Sequence, residues 1–302
     1  MKNNRMAFFM IAAAFLSACN KASEEQKPDV VIGKTPVEVK NGRMSAEILH
    51  LLGQVSGATV SPDGKTVLYG VSYCDIALNK RNCELFTVNI DGTNKQQITH
   101  SAQSEGDAQW IKNGKKIAFI YDEQIWEMNP DGSNRVKISD YEQAIESFKY
   151  SPDGTKVLFI STIKSIETAA GKYPDLDKSS GRIIEHLMYK HWDEWTEGIP
   201  HPFVADYNNG KLSNIVDILD GEPYESPMRP WGGIEQLAWS PDSKTIAYTC
   251  RRKTGKEYAE STNSDIYLYN VETKNVKNLT EGMLGYDTNP QFSPDGKAIA
   301  WL

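Results

Sequence analysis

From residue 57 to the end of the chain, apolar residues recur in pairs two positions apart: Val67 with Tyr69, Ile117 with Phe119, Val157 with Phe159, Ile246 with Tyr248 and Ile299 with Trp301. A period of two places both members on one face of a β-strand, turned toward a neighbour. Ahead of these pairs stand Ser61-Pro62-Asp63-Gly64, Ser151-Pro152-Asp153-Gly154, Ser240-Pro241-Asp242-Ser243 and Ser293-Pro294-Asp295-Gly296, with Ile111-Lys112-Asn113-Gly114 as a degenerate copy. Each tetrapeptide suits a type I turn: Ser at the first position, Pro presetting φ at the second, Asp tolerated at the third and Gly closing the fourth. Val60, Trp110, Tyr150, Trp239 and Phe292 precede the turns, so the unit reads strand, turn, strand. A second hairpin follows in most units, as in Glu84-Leu85-Phe86-Thr87-Val88 through Asn89-Ile90-Asp91-Gly92 to Gln97-Ile98-Thr99. Four short strands with regular turns form one blade of an all-β propeller, about four to five blades here of a ring of seven or eight.

Turn starts at 61, 111, 151, 240 and 293 leave one wide interval, after 151, so the third blade carries an insertion near 161–201. Within it Ile184, Leu187 and Met188 space as a helical stripe that His191 extends, which predicts a short helix. Next to that stripe, Asp193 and Glu194 lie between Trp192 and Trp195, with Glu185 upstream. Carboxylates framed by aromatic rings can hold a cationic amine by ion pairing and cation–π attraction. The same residues also suit a helix packed on a blade edge with solvated acids, and both readings stand at this point.

The amino-terminal end carries a different pattern. Lys2 and Arg5 precede an apolar run over 6–16, too short for the roughly 20 residues of a membrane-spanning helix but suited to a secretory signal. Leu16-Ser17-Ala18-Cys19 resembles the lipobox of bacterial lipoproteins, with the Cys19 thiol as the acylated atom. The expected organisation is a signal peptide over 1–18, a flexible tether over 19–43 and a partial propeller over 44–302. The expected location is the periplasm or outer membrane of a bacterium, with membrane contact through the lipid anchor. In that oxidising setting Cys74 and Cys83, flanking a polar hairpin loop, are candidates for a disulfide. Cys250 reads as a buried small hydrophobe.

Composition narrows the remaining choices. The 302 residues carry 40 acidic and 33 basic side chains, a net charge of -7 without long like-charge blocks, so no nucleic-acid partner is expected. No H-E-x-x-H, phosphate loop or dinucleotide fingerprint occurs, so neither metal nor cofactor is expected. No G-x-S-x-G elbow occurs either; the nearest stretch, Gly70-Val71-Ser72-Tyr73-Cys74, continues a blade strand. A catalytic residue cannot be assigned.

The strand–Ser-Pro-Asp-Gly–strand units resemble the TolB-type propeller repeat. Together with Met44-Ser45-Ala46-Glu47-Ile48-Leu49-His50-Leu51-Leu52 ahead of the first unit and the segment Tyr189-Lys190-His191-Trp192-Asp193-Glu194-Trp195, they resemble bacterial peptidases of the prolyl oligopeptidase family, in the dipeptidyl and acylaminoacyl peptidase branch. That resemblance implies a propeller that gates oligopeptide substrates ahead of a C-terminal α/β-hydrolase domain, absent from these 302 residues. It implies that propeller carboxylates bind the substrate's free amino terminus, here Glu194 ahead of Asp193 and Glu185. The rival reading is a non-catalytic TolB-like lipoprotein that binds or scaffolds partners. A polysaccharide-acting enzyme on the same repeats would need clustered metal-binding histidines, which the sequence lacks.

Overall fold

The computed structural model describes residues 30–302 apart from 165–168, 177, 186, 188 and 192. The first blade is β1 (Gln54–Val60), β2 (Thr66–Asp75), β3 (Lys80–Asn89) and β4 (Gln96–Gln97), paired antiparallel in chain order. The second is β5 (Gly106–Ile111), β6 (Lys116–Tyr121), β7 (Gln124–Met128) and β8 (Val136–Lys137). In the third, β9 (Ile145–Tyr150) and β10 (Lys156–Lys164) are followed by the insertion, with its small hairpin β11 (Lys190–His191) and β12 (Glu194–Trp195). The sheet is completed by β13 (Gly198–Asn208) and β14 (Lys211–Asp217). The fourth blade is β15 (Leu237–Trp239), β16 (Thr245–Cys250), β17 (Asp265–Asn270) and β18 (Val276–Asn278), and the hairpin β19 (Gln291–Phe292) with β20 (Ile299–Ala300) follows.

The turns between first and second strands form as their sequence dictates. Gly64, Gly154, Ser243 and Gly296 donate N–H to the carbonyls of Ser61, Ser151, Ser240 and Ser293 at 2.8–2.9 Å. In each, the Ser hydroxyl donates to the Asp carboxylate at 2.6 Å. Ser243 holds a left-handed φ of 62° where its counterparts have glycine. Its hydroxyl accepts the Asp153 N–H of the neighbouring blade's turn at 3.1 Å, which offsets the strain. In the degenerate turn Lys112 is itself left-handed, and its ammonium reaches Glu127 (2.9 Å) and the Tyr207 hydroxyl (2.6 Å) in the next blade.

The core lies between blades rather than within them. Leu68 and Leu85 of blade one meet Ile117, Phe119 and Met128 of blade two. Ile111, Ala118 and Ile125 meet Phe148, Phe159 and Phe203 of blade three, and Leu158, Ile160 and Val204 meet Ile246, Tyr248 and Tyr267 of blade four. Thus β10 is buried on both faces, Val157 and Phe159 one way and Leu158 and Ile160 the other, where the period-two pattern predicts one apolar face. First strands also bond across the boundaries: the indoles of Trp110 and Trp239 donate to the carbonyls of Thr59 and Lys149, each at 3.3 Å.

Two expectations are corrected. Among the described residues the stripe is not helical: Ile184 and Leu187 are exposed and His191 lies in β11, while Met188 lies outside the described residues. Ile184 and Leu187 bury against nothing, and so short a helix does not hold in water without a surface to pack on. The insertion's helical turns lie earlier, at α1 (Ala169–Lys172) and Pro174–Leu176. Cys74 and Cys83 are free thiols. Cys83 stands opposite Ser72 and Cys74 opposite Arg81, and the Cys83 sulfur lies over Gly70, on the far side of Ser72 from Cys74. Cys250 is fully buried, and burial pushes its thiol up to about 12. In the segment read as tether, Ile32 is buried. Among the described residues no helix is long and apolar enough to cross a membrane.

Candidate functional site

In an antiparallel blade, the connections from first to second and third to fourth strand leave by one end. Those from second to third strand, and onward to the next blade, leave by the other. The Ser-Pro-Asp turns occupy the first end. At the second end, blade two closes β6 to β7 with two residues, Asp122 and Glu123, both left-handed, directly beyond the pair Tyr121↔Gln124. Blade three replaces that turn with 165–197, launched from the pair Lys164↔Gly198. The connection 218–236 to blade four rises beside it.

Between these two excursions lies a cleft of about 390 Å³. Thr162 and Gly198 line it from the strand ends, Asp193, Glu194, Trp195, Thr196 and Glu197 from the insertion, and Arg229, Pro230 and Trp231 from the connection. Its charges fall into two classes. Glu197 accepts two hydrogen bonds from Arg182, at 2.8 and 3.1 Å. Arg229 is tied to Glu146 at 2.8 Å, and the other oxygen of Glu146 accepts from the Thr162 hydroxyl at 2.5 Å. Asp193 and Glu194 are exposed and have no hydrogen-bond or ion-pair partner among the described residues. Two carboxylates facing a cleft whose Arg229 is already paired can take up a positively charged group.

The residues expected from sequence therefore separate. Asp193, Glu194 and Trp195 come together in the cleft. Glu185 is exposed and does not line it, while Trp192 and Cys19 lie outside the described residues. Trp195 contributes less than a free aromatic wall would. Arg182 sits 4.2 Å from its ring centroid, Lys190 5.3 Å, and Tyr189 packs at 6.1 Å. The protein's own cations thus occupy the cation–π positions that sequence reasoning reserved for a ligand. Thr162, Arg229 and Trp231 are additions that only the fold makes visible; a Pro on either side of Arg229, in Pro227 and Pro230, was the one local signal of a shaped loop. Among the described residues no cluster of three or more His, Cys, Asp or Glu could hold a metal ion.

Comparison with known proteins finds peptidases among the relatives of this chain. The chain is 51% identical over 263 residues to a dipeptidyl-peptidase 5 of Porphyromonas gingivalis, across 86% of this chain and 38% of that protein. It is 42% identical over 266 residues to a dipeptidyl-peptidase 5 of Porphyromonas endodontalis, across 87% and 38% respectively. The chain thus spans well under half the length of these relatives. In structure it is similar to the acylaminoacyl peptidase of Pyrococcus horikoshii, with a TM-score of 0.57 at 14% identity over 80% of this chain and 34% of that one, a likeness of fold. No protein-family profile matches.

Proposed function

We propose that this chain is the TolB-type β-propeller part of a prolyl oligopeptidase-family peptidase of the dipeptidyl peptidase branch, a reading that its likeness to the two dipeptidyl-peptidase 5 relatives supports, and that its cleft binds the free amino terminus of a peptide. The carrying observation is the pair Asp193 and Glu194, which have no partner among the described residues and lie at the rim of a concave site. An α-ammonium would donate to these carboxylates, Glu194 first, while Arg229, with N–H groups left over from its single bond to Glu146, would receive a backbone carbonyl. An amine fixed at one place measures a set distance along the peptide, which is how a propeller can present a defined bond to a hydrolase domain. Hydrolysis itself is assigned to an α/β-hydrolase domain outside these residues, with oligopeptides as its substrates.

We further propose that the chain is exported and held at a bacterial membrane by a lipid on Cys19. Loss of incorporated radiolabelled palmitate in Cys19→Ala is the expected result; unchanged labelling refutes it.

The amine site is tested by calorimetric titration of the chain with Gly-Ala-amide and with its N-acetyl derivative. Roughly tenfold tighter binding of the free amine is expected, equivalent to about 1.4 kcal/mol, and Glu194→Gln should erase the difference. Equal affinities for the two peptides would remove the reading.

A further inference from the structure

Where the first blade hands the chain to the second, two carboxyl groups are buried together. Glu84, in β3, and Glu105, just before β5, are each 1% exposed. Between them stands the Thr99 hydroxyl, 2.7 Å from Oε2 of Glu84 and 3.0 Å from Oε2 of Glu105. The same hydroxyl accepts the Leu85 N–H at 2.8 Å. A threonine hydroxyl owns one proton, so it can donate to one of these carboxyls and must accept from the other. Were both ionised, one carboxylate oxygen would face the Thr99 oxygen at hydrogen-bond distance with no proton between them.

The partners decide which carboxyl holds the proton. Oε1 of Glu105 accepts from Arg135 at 2.9 Å, an ion pair reaching across from blade two. That arginine is itself held by the Ser101 hydroxyl at 2.8 Å and by the Tyr121 ring, 3.9 Å from its guanidinium carbon. Glu84 has neutral partners: its Oε1 accepts from the Asn82 amide and the Ser101 N–H, each at 2.9 Å. With the proton on Glu84, its Oε2 donates to Thr99 and Thr99 donates to Glu105. Each link of the chain then joins a donor to an acceptor.

Blade two builds the same corner without acids. Gln124 and Ser139 stand there in place of Glu84 and Thr99: Ser139 Oγ accepts the Ile125 N–H at 2.8 Å and donates to Gln124 at 2.7 Å. Glu105, whose N–H donates to the Cys83 carbonyl, is matched by Ile145, whose N–H donates to the Glu123 carbonyl, both at 2.9 Å. A protonated glutamic acid is the form that matches the neutral amide of Gln124 in shape and charge. Burial holds the Glu84 carboxyl above the usual carboxylate range, outweighing the hydrogen bonds from Ser101 and Thr99; Glu105 adds to the rise and His100 opposes it. Among the described residues, the charged and titratable groups around Glu84 are thus Glu105, Arg135 and the exposed His100.

We propose that Glu84 keeps its proton in the folded protein and supports, through Thr99, the bridge from Glu105 to Arg135, making the seam between blades one and two a pH-sensitive joint. Loss of that proton to solvent base puts a second carboxylate beside one arginine and leaves a single Thr99 hydrogen for two acceptors. The seam therefore weakens as pH rises. Below the unfolded value of about 4.3 the acid is protonated in both states and makes no difference. Above it only the unfolded chain ionises, so the folding equilibrium falls about tenfold per pH unit until the folded value is passed. The joint is independent of the amine-site reading.

Infrared spectroscopy and urea unfolding of the whole chain test it. At neutral pH the wild type should show the carbonyl stretch of a protonated carboxyl, and Glu84→Gln, the isostere of the protonated acid, should remove it. The ratio of folding constants, variant over wild type, should rise at least about tenfold between pH 4 and pH 7. If Glu84→Gln does not fold, Thr99→Val carries the assignment: the band should remain and move to higher frequency, because the acid proton has lost its acceptor. Absence of the band from the wild type, a band that neither substitution alters, or a ratio independent of pH overturns the proposal.

Discussion

The two ends of the same strands solve opposite problems with the same residue types. At the Ser-Pro-Asp end, each aspartate accepts from the serine two residues before it and from the backbone N–H two residues after it, as Asp153 does from Ser151 (2.6 Å) and Thr155 (3.0 Å). At the other end Asp193 and Glu194 have no such partners among the described residues. The first arrangement fulfils its hydrogen-bonding capacity within six residues and so stabilises a turn. The second leaves that capacity open, the property on which the proposed amine site depends, and the cleft exists because two distant excursions converge. Local satisfaction builds the scaffold, and withheld satisfaction marks the proposed site.

The largest expected effect falls on the scaffold beneath the cleft. Phe159, fully buried and stacked on Phe203 at 5.2 Å, joins blades two and three. Phe159→Ala should lower unfolding free energy by about 3–5 kcal/mol in urea titrations; a loss below about 1 kcal/mol would mean that the blades do not share this core. Next comes Glu194→Gln, which should weaken free-amine peptide binding about tenfold yet shift stability by no more than about 0.5 kcal/mol. Glu185→Gln, outside the cleft, should change neither. If Glu185→Gln matches Glu194→Gln, net charge rather than cleft geometry governs binding.

Ser151→Ala reverses that pattern. It removes both the donor to Asp153 and the acceptor of the Lys156 N–H (2.9 Å), and should cost about 1 kcal/mol of stability with peptide affinity unchanged. The smallest effect is the pH dependence of the turns. Hydrogen bonds from serine, then from backbone N–H, hold Asp63, Asp242 and Asp295 below the usual carboxylate range. At Asp153 burial acts in the opposite direction, and donation from Ser151 and Thr155 outweighs it. A carboxyl whose folded value is depressed adds stability above its unfolded value of about 3.9, and that stability disappears as the pH falls through the folded value. The stability gap between wild type and Asp153→Asn should therefore shrink as pH falls from 6 to 2. A gap independent of pH would show that the charge of Asp153 contributes nothing to the turn.

The same division explains what sequence reasoning could reach. The blades were legible because Ser61, Pro62, Asp63 and Gly64 bond to one another, so the whole device is written in one tetrapeptide that recurs. Burial of β10 on both faces was not legible, since Leu158 and Ile160 face a blade that begins only at Leu237. Asp193 and Glu194 are legible as a candidate pair because they are adjacent, whereas Arg229 and Trp231, which line the same cleft, are not, because they belong to the connection into the next blade. The misplaced helix has a related cause: Ile184 and Leu187 have helical spacing but no surface to bury against, and spacing alone does not stabilise a helix. Free Cys74 and Cys83 follow from strand register, which separation along the chain does not reveal.

The pairing Lys164↔Gly198 sits where blade two has Tyr121↔Gln124 and a two-residue turn. Because the ladder beneath is complete up to that point, an exchange of 165–197 is expected to leave the sheet intact. The segment can be lengthened, redecorated or replaced while the sheet keeps its hydrogen bonds. Selection, natural or in the laboratory, can therefore rewrite the side chains displayed at this end of the blade at little risk to folding, and a graft between relatives has a natural seam at residues 164 and 198.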